Sequence, residues 1–259
     1  MNYWQDRIAQ SQTALSNKSL KQIEMQLRKY YAKAMTTTIE DFTATYEKLL
    51  ADGRAGRQPT PADLYKLDKY WKTQAQMRQA LEQLGEKQIT ALSKIFETNF
   101  FEVYYTLGMD GLEAYSTIDA AGARQLINSI WCADGKSWSQ RIWENTQLLA
   151  ETLNEELINC VVGGKRTTDL KKMLQERFNV SYSRADALAR TEIAHVQTEA
   201  AKQRYKDYGI EEVEIWADED ERRCEVCGKL HMKKYPVGAA IPVPAHPNCR
   251  CCIVPIVKK

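Results

Sequence analysis

The sequence predicts a mainly α fold. A long N-terminal antiparallel helical hairpin is followed by a helical C-terminal domain that ends in a small β/Cys-His knuckle module. Three observations carry this. Residues 3 to 50 contain neither glycine nor proline. Apolar residues recur through the first hundred positions at spacings of three and four, the period of a helix with one buried face. Five of the seven cysteines and two of the three histidines lie between Cys224 and Cys252. With 259 residues the chain can bury a sizeable core and hold two domains. The expected division is an elongated helical domain over 1–136 and a second domain over 137–259, with the knuckle at 224–252.

Composition agrees with a helical, water-exposed protein: 27% of residues are charged, 44% are hydrophobic, and glycine and proline are sparse. The net charge of +2 gives no global signal for a polyanionic partner. No apolar run approaches the roughly 18 residues of a membrane span. No apolar stretch follows Met1-Asn2-Tyr3-Trp4, so no secretory signal is expected. A reducing cytoplasm is the expected setting, and there clustered cysteines favour metal over disulfides.

The first helix is expected over 3–50, with Ile23, Leu27, Tyr30, Ala34, Met35, Ile39, Phe42, Tyr46 and Leu49 on its apolar face. Gly53, Gly56 and Pro59 mark a loop. Thr60 as N-cap, Pro61 at the first helical position and Asp63 as capping-box partner open the next helix. It is read as one element through Leu64, Leu67, Trp71, Met77, Leu81 and Leu84, on past Gly85 to Phe100 and Leu107, with Gly108 and Gly111 ending it. Two helices of this size make a hairpin about 60 Å long, suited to a spacer or an assembly element. Beyond it, Ala133–Ser137 breaks the chain and Trp131, Trp138 and Trp143 read as core anchors. Cys132 and Cys160 read as ordinary buried thiols. Val161–Thr167 is a turn, Thr167 caps a helix through Phe178, and Ser183 with Asp186 marks a further start. That last helix carries Ala189, Ile193, Val196 and Ala200 on one side, and Gly209 stands at its C-terminus. Val213-Glu-Ile215 and Cys252–Val257 alternate as short strands, the second placed at an edge by Pro255.

The knuckle carries the chemistry. Cys224-Glu-Val-Cys227 presents two thiols three positions apart, and His246-Pro-Asn-Cys249-Arg-Cys251 follows 18 residues later. That spacing is the pattern of a closed tetrahedral Zn2+ site, which supplies folding energy and leaves no position for a reacting water. Cys224, Cys227 and Cys249 are the firmest ligands, and His246 and Cys251 compete for the fourth place. His231 and Cys252 are weaker candidates. Disulfides would need an oxidising compartment, and a redox CxxC would normally open a helix in a βαβ unit, a pattern absent here.

Charge reverses at the knuckle: Glu211–Glu221 holds seven acids and no base, and Arg222–Lys259 holds eight bases and one acid. The acidic run can neutralise the basic one. The alternative is a basic tip that touches nucleic acid through Arg222, Arg223, Lys233, Lys234 and Arg250. No aromatic side chains interleave with those bases, so such contact would be nonspecific. Glu192 and His195 could serve as an acid–base pair, but their spacing is also that of a helical ion pair. No catalytic residue is assigned.

Arg190-Thr191-Glu192, Trp216, Asp220, the Cys224/Cys227 pair and His246–Cys251 occur in the order and spacing of a known family. The chain resembles the phage minor capsid proteins with a Mu-like head-morphogenesis domain, over roughly 137–256. Tyr3-Trp4 and Pro59–Leu64 extend the resemblance to minor capsid proteins of phages of Gram-positive hosts. The resemblance implies a non-enzymatic structural minor head protein associated with the portal vertex. It would assist head assembly, DNA packaging or genome delivery, with the phage portal protein, other head proteins and phage DNA as partners. Such a protein resides in the virion head, after assembly in the host cytoplasm. Some relatives carry an appended ADP-ribosyltransferase domain; none is expected after Lys259. Two departures matter: Met232 stands where the family often has glycine, which argues against a positive-φ turn there, and some relatives lack the CxxC.

Overall fold

The structure is a computed structural model and describes residues 3–52, 58–108, 117–217 and 223–257. Among these the helices are α1 (Tyr3–Asp52), α2 (Pro61–Tyr65), α3 (Asp68–Thr106), α4 (Ala120–Ile127), α5 (Trp138–Val162), α6 (Thr167–Asp207) and α7 (Glu225–Leu230). The strands are β1 (Glu212–Trp216), β2 (Lys234–Pro236) and β3 (Cys252–Pro255). The chain divides into two compact units: Met1–Glu24 with Ala91–Trp138 and Asp186–Lys259, and Met25–Thr90 with Ser139–Ala185. Helices α1, α3, α5 and α6 contribute residues to both.

Among the described residues the regular elements of the second unit are all helices. Phe42, Leu81, Leu153, Leu157, Leu170 and Phe178 are almost fully buried, and the buried hydroxyls of Thr45 on α1 and Thr73 on α3 meet at 2.8 Å. Tyrosine hydroxyls cross this core. Tyr46 donates to the Lys165 carbonyl at 2.6 Å, and Tyr31 bonds Ser181 while receiving Asn145 Nδ2 at 3.2 Å. The sequence reading placed Tyr30 and Met35 on the buried stripe. The structure buries Tyr31 and Thr38 there and leaves Tyr30 and Met35 half-buried. A tyrosine can be that deep because its hydroxyl finds partners; burial pushes the Tyr31 hydroxyl up to about 12.

The Thr60 capping box forms as read, with Pro61 at the helix start. The helix it opens does not continue: α2 stops at Tyr65, Lys66 is its C-cap, and α3 begins at Asp68. Gly85 leaves α3 unbroken. A Cβ at that position would lie 2.6 Å from Trp143 Cζ3, so the missing side chain makes room for the indole. Trp143 is 40% exposed and lies on the surface of the bundle, unlike the buried Trp138.

The expected start at Ser183 is also absent. Helix α6 runs uninterrupted for 41 residues. The Ser183 hydroxyl bonds back to the Asn179 carbonyl at 2.9 Å, and Asp186 pairs with Arg190 one turn on at 2.7 Å. Both side chains that could have capped a new helix are thus used inside the old one. At the front of α6 the cap lies one residue earlier than read: the Arg166 N–H is received by Asp169 at 3.2 Å.

The first unit buries Phe96, Phe100, Val103 and Leu107 together with the α6 residues Ala189, Ile193, Val196 and Ala200, and the Tyr104 hydroxyl donates to Asp207 of α6. Asn99 Nδ2 reaches Ser19 Oγ at 2.9 Å. Gly111 lies outside the described residues. Gly209, at φ 69°, closes α6 as expected, with Ile210 N–H returning to the Tyr205 carbonyl at 2.9 Å. The chain then enters a three-stranded antiparallel sheet of order β2-β1-β3. Val213 faces Tyr235 on one side and Pro255 on the other. The expected β1 and β3 pair; β2 was not foreseen. The Ile253 carbonyl of β3 receives Gln12 Nε2 at 2.9 Å and the Tyr205 hydroxyl at 3.1 Å.

Candidate metal centre

The knuckle grows out of the sheet. Cys224 is the N-cap of α7, and its sulfur accepts the Cys227 N–H at 3.3 Å. The CxxC pair therefore does open a helix, but beside an antiparallel sheet and not in a βαβ unit. After α7 the chain turns through Met232 at φ 61°, whose N–H bonds the Ile215 carbonyl of β1 at 2.8 Å. The positive-φ turn is thus kept without the glycine. A methionine there costs about 1 kcal/mol of backbone strain, and the bond to β1 helps to offset it.

The second ligand group sits on a turn. Cys249 N–H returns to the His246 carbonyl at 3.2 Å. Asn248 at its apex has φ 61°, a conformation asparagine tolerates well. The Asn248 N–H bonds Thr191 Oγ1 at 3.0 Å, while that hydroxyl donates to the Ala187 carbonyl at 2.7 Å. Thr191, between Arg190 and Glu192, thus joins α6 to the knuckle turn.

Two triads of potential ligand atoms result, Cys224/Cys227/His246 and Cys227/Cys249/Cys251, each with its atoms within 4.8 Å of one another. Cys227 belongs to both. Its sulfur lies 3.9 Å from Cys249 Sγ and 3.0 Å from His246 Nε2, and Cys224 Sγ lies 3.2 Å from the same nitrogen. Sulfurs bound tetrahedrally to one ion at about 2.3 Å stand about 3.8 Å apart, and sulfur and nitrogen about 3.6 Å. The Cys227–Cys249 separation meets that spacing; the imidazole sits closer to its thiols and would move outward by about half an ångström to meet it. His246 Nδ1 donates to the Pro247 carbonyl at 2.8 Å. This leaves the Nε2 lone pair of the neutral ring aimed at the sulfurs, the tautomer a metal requires. The donor set of soft thiolates and one imidazole could hold a metal ion, and its chemistry suits zinc.

The thiols are not equivalent. A hydrogen bond from Cys251 draws Cys249 down to about 5, and the same shared proton, together with burial, pushes Cys251 upward. Burial pushes Cys227 up to about 12, and the Cys227 N–H draws Cys224 down. A cleft of about 970 Å³, lined by Gln12, Ser16 and Arg190 with His246, Cys249 and Cys251, gives one side of the cluster access to solvent.

The remaining candidates fall elsewhere. His231 Nδ1 accepts the Ala217 N–H at 3.2 Å at the end of β1, and Cys252 pairs with Trp216 in the sheet. Trp216 Nε1 donates to Glu214 at 2.9 Å. Of the five basic candidates, Lys233, Lys234 and Arg250 are exposed, Arg223 is half-buried against the Gly228 carbonyl, and Arg222 lies outside the described residues, as does Asp220. Glu192 is buried and accepts Trp131 Nε1 at 3.1 Å, and His195 stacks on that indole at 4.8 Å. Burial draws His195 down to about 4. Sequence reading missed the partnership of Ser129 and Trp131 with His195, because these residues lie on a different segment with no periodic signal. It also missed the bond from Asn248 to Thr191, although asparagine between proline and cysteine is itself a turn signal.

The fold and the cluster together define a class: a helical protein whose C-terminal three-stranded sheet carries a thiolate-rich knuckle. Residues 151–254 match the family described as Phage Mu protein F like protein. That match likens this segment to a phage head-morphogenesis family. No curated protein and no solved structure gives a match. Among the described residues no helix is long and apolar enough to cross a membrane.

Proposed function

We propose that this protein is a structural minor head protein that docks at the phage portal vertex and assists head assembly, DNA packaging or genome delivery. The family match over 151–254, which ends inside β3 and so takes in the knuckle, carries the reading. The long glycine-poor helices support an assembly role. In this reading Cys224, Cys227 and Cys249 hold a structural Zn2+, with His246 or Cys251 as fourth ligand. Filled by four protein ligands, the ion would brace the loop between α7 and β3 and offer no coordination position to a substrate. Glu192 and His195 are engaged by Trp131 in a buried stack, which supports a packing role for both.

Co-expression with the portal protein tests the reading. The protein is expected to co-purify with the portal oligomer and not with unassembled major capsid protein. Absence of any association with the portal under assembly conditions would sink it.

A further inference from the structure

The sequence Tyr65-Lys-Leu-Asp-Lys-Tyr-Trp-Lys72 spans the junction of α2 and α3. In an unbroken helix, with about 100° and 1.5 Å of rise between residues, Tyr65 and Trp71 would point about 120° apart and stand about 9 Å from each other along the axis. The break at Lys66–Leu67 brings them together instead. Their rings lie 6.3 Å apart at an interplanar angle of 31°, and they are 44% and 57% exposed. Trp71 is held in place: its Nε1 donates to the Tyr65 carbonyl at 2.9 Å, and its ring meets the edge of Tyr70 at 5.0 Å. Tyr70 is itself buried and anchored, its hydroxyl donating to Asn154 at 3.0 Å. Lys66 and Lys72, the residues that follow Tyr65 and Trp71 in the chain, are exposed, Lys69 is half-buried and bonds the Ala44 carbonyl at 3.0 Å, and Arg78 is exposed two turns further along α3. Asp68 is the only acid within the eight residues.

A rigid, exposed pair of aromatic rings needs a partner that offers flat apolar faces. Protein interfaces use such anchors but are depleted in lysine. Here a lysine follows each ring residue in the chain. Bases that stack on aromatics while lysines meet the phosphates are the recognition mode of single-stranded nucleic acid. We propose that Tyr65 and Trp71, with Lys66 and Lys72, form a stacking platform for single-stranded nucleic acid. The platform depends neither on the metal centre nor on portal docking.

The test is the fluorescence anisotropy of a labelled oligothymidylate of about 20 nucleotides, a length chosen to span more than one stacking site, titrated with the full chain at low salt. Binding is expected. Trp71→Ala should weaken it about tenfold or more, and Trp71→Phe should retain most of it, since one stacked base contributes on that scale. Tyr65→Leu keeps the apolar bulk, removes the ring, and reads the same stacking independently should Trp71→Ala fold poorly. Lys66→Gln with Lys72→Gln should flatten the salt dependence by about 0.7 per charge removed. A duplex of equal length should bind less tightly. The proposal falls if no binding occurs, if Trp71→Ala and Tyr65→Leu bind like wild type, or if the duplex is preferred. It also falls if binding is lost only in Lys233→Gln/Lys234→Gln at the knuckle, or if Trp71→Ala spares the oligonucleotide and abolishes co-purification with the portal, which would make the patch a protein interface.

Discussion

The helical unit of residues 25–90 and 139–185 and the knuckle of residues 223–257 are specified by different physics. In the helical unit, Leu27, Tyr31 and Ala34 of α1 and Leu149, Leu153 and Leu157 of α5 recur at spacings of three and four and are buried, so order follows from burial spread over many turns. The knuckle has no such stripe. Its helix has six residues and its two strands have three and four. The 18 residues between Cys227 and His246 must be ordered by elements too short to bury much surface. Fixing that backbone costs about 1–2 kcal/mol per residue, which is where a shared ion would make its contribution. Periodicity builds the one region; in the proposed reading, an ion shared by a few soft ligands would order the other.

The largest effect expected from this contrast is at Cys227, the sulfur common to both triads. Cys227→Ser should abolish stoichiometric zinc, measured by mass spectrometry of the intact protein. Structural zinc sites contribute on the order of 10 kcal/mol of apparent binding free energy. Hydrogen exchange should then accelerate through 223–257, while amides in the helical unit keep their protection. Cys224→Ser, which removes a half-exposed member of one triad, should lose less. If Cys252→Ser, in the sheet and outside both triads, proved as damaging as Cys227→Ser, the shared-ligand account would break.

An intermediate effect is expected at His195, on the helical side of the first unit. Burial holds its folded-state value near 4, against about 6.5 unfolded. The unfolded chain therefore binds a proton that the folded chain refuses. The stabilisation from the neutral ring is complete above about pH 6.5 and is lost as the pH falls towards 4, by about 3 kcal/mol in all. Urea unfolding at pH 7 and pH 5 should show this slope in the wild type and a flatter one in His195→Gln. Equal slopes would mean that the imidazole titrates freely.

The smallest effect is at Met232. Its positive φ and 62% exposure mean that a glycine would relieve strain without uncovering core. Met232→Gly should stabilise the metal-loaded protein by about 0.5 kcal/mol, the relieved strain being partly offset by the freer unfolded chain. Met232→Ala should give no gain. A loss with glycine would show that the thioether itself supports the turn.

What the sequence discloses follows the same division. Long apolar periods made α1, most of α3 and the α6 face from Ala189 to Ala200 readable, and ligand spacing pointed to the cysteines. The errors arose where local signals conflicted with tertiary use. Ser183 and Asp186 look like a capping pair, yet each finds a partner one turn away within α6. Leu67 continues a helical period, yet Lys66 ends α2. Trp143 looks like core, yet it rests on Gly85 at the surface. β2 is three residues long, below any periodic signal, and exists because β1 offers it an edge. The geometry that puts Cys227 between two triads needs coordinates, because spacing says which ligands can meet but not which one they share.

The outer side of β3 has a consequence for how this sheet meets other chains. Its Ile253 carbonyl is already taken by Gln12 and Tyr205, Gln5 reaches the Pro255 carbonyl at 3.4 Å, and Pro255 has no N–H to offer. A fourth strand arriving there would find few free backbone partners. The small sheet can thus be crowded against other copies without seeding a polymer, and such encounters are left to side chains.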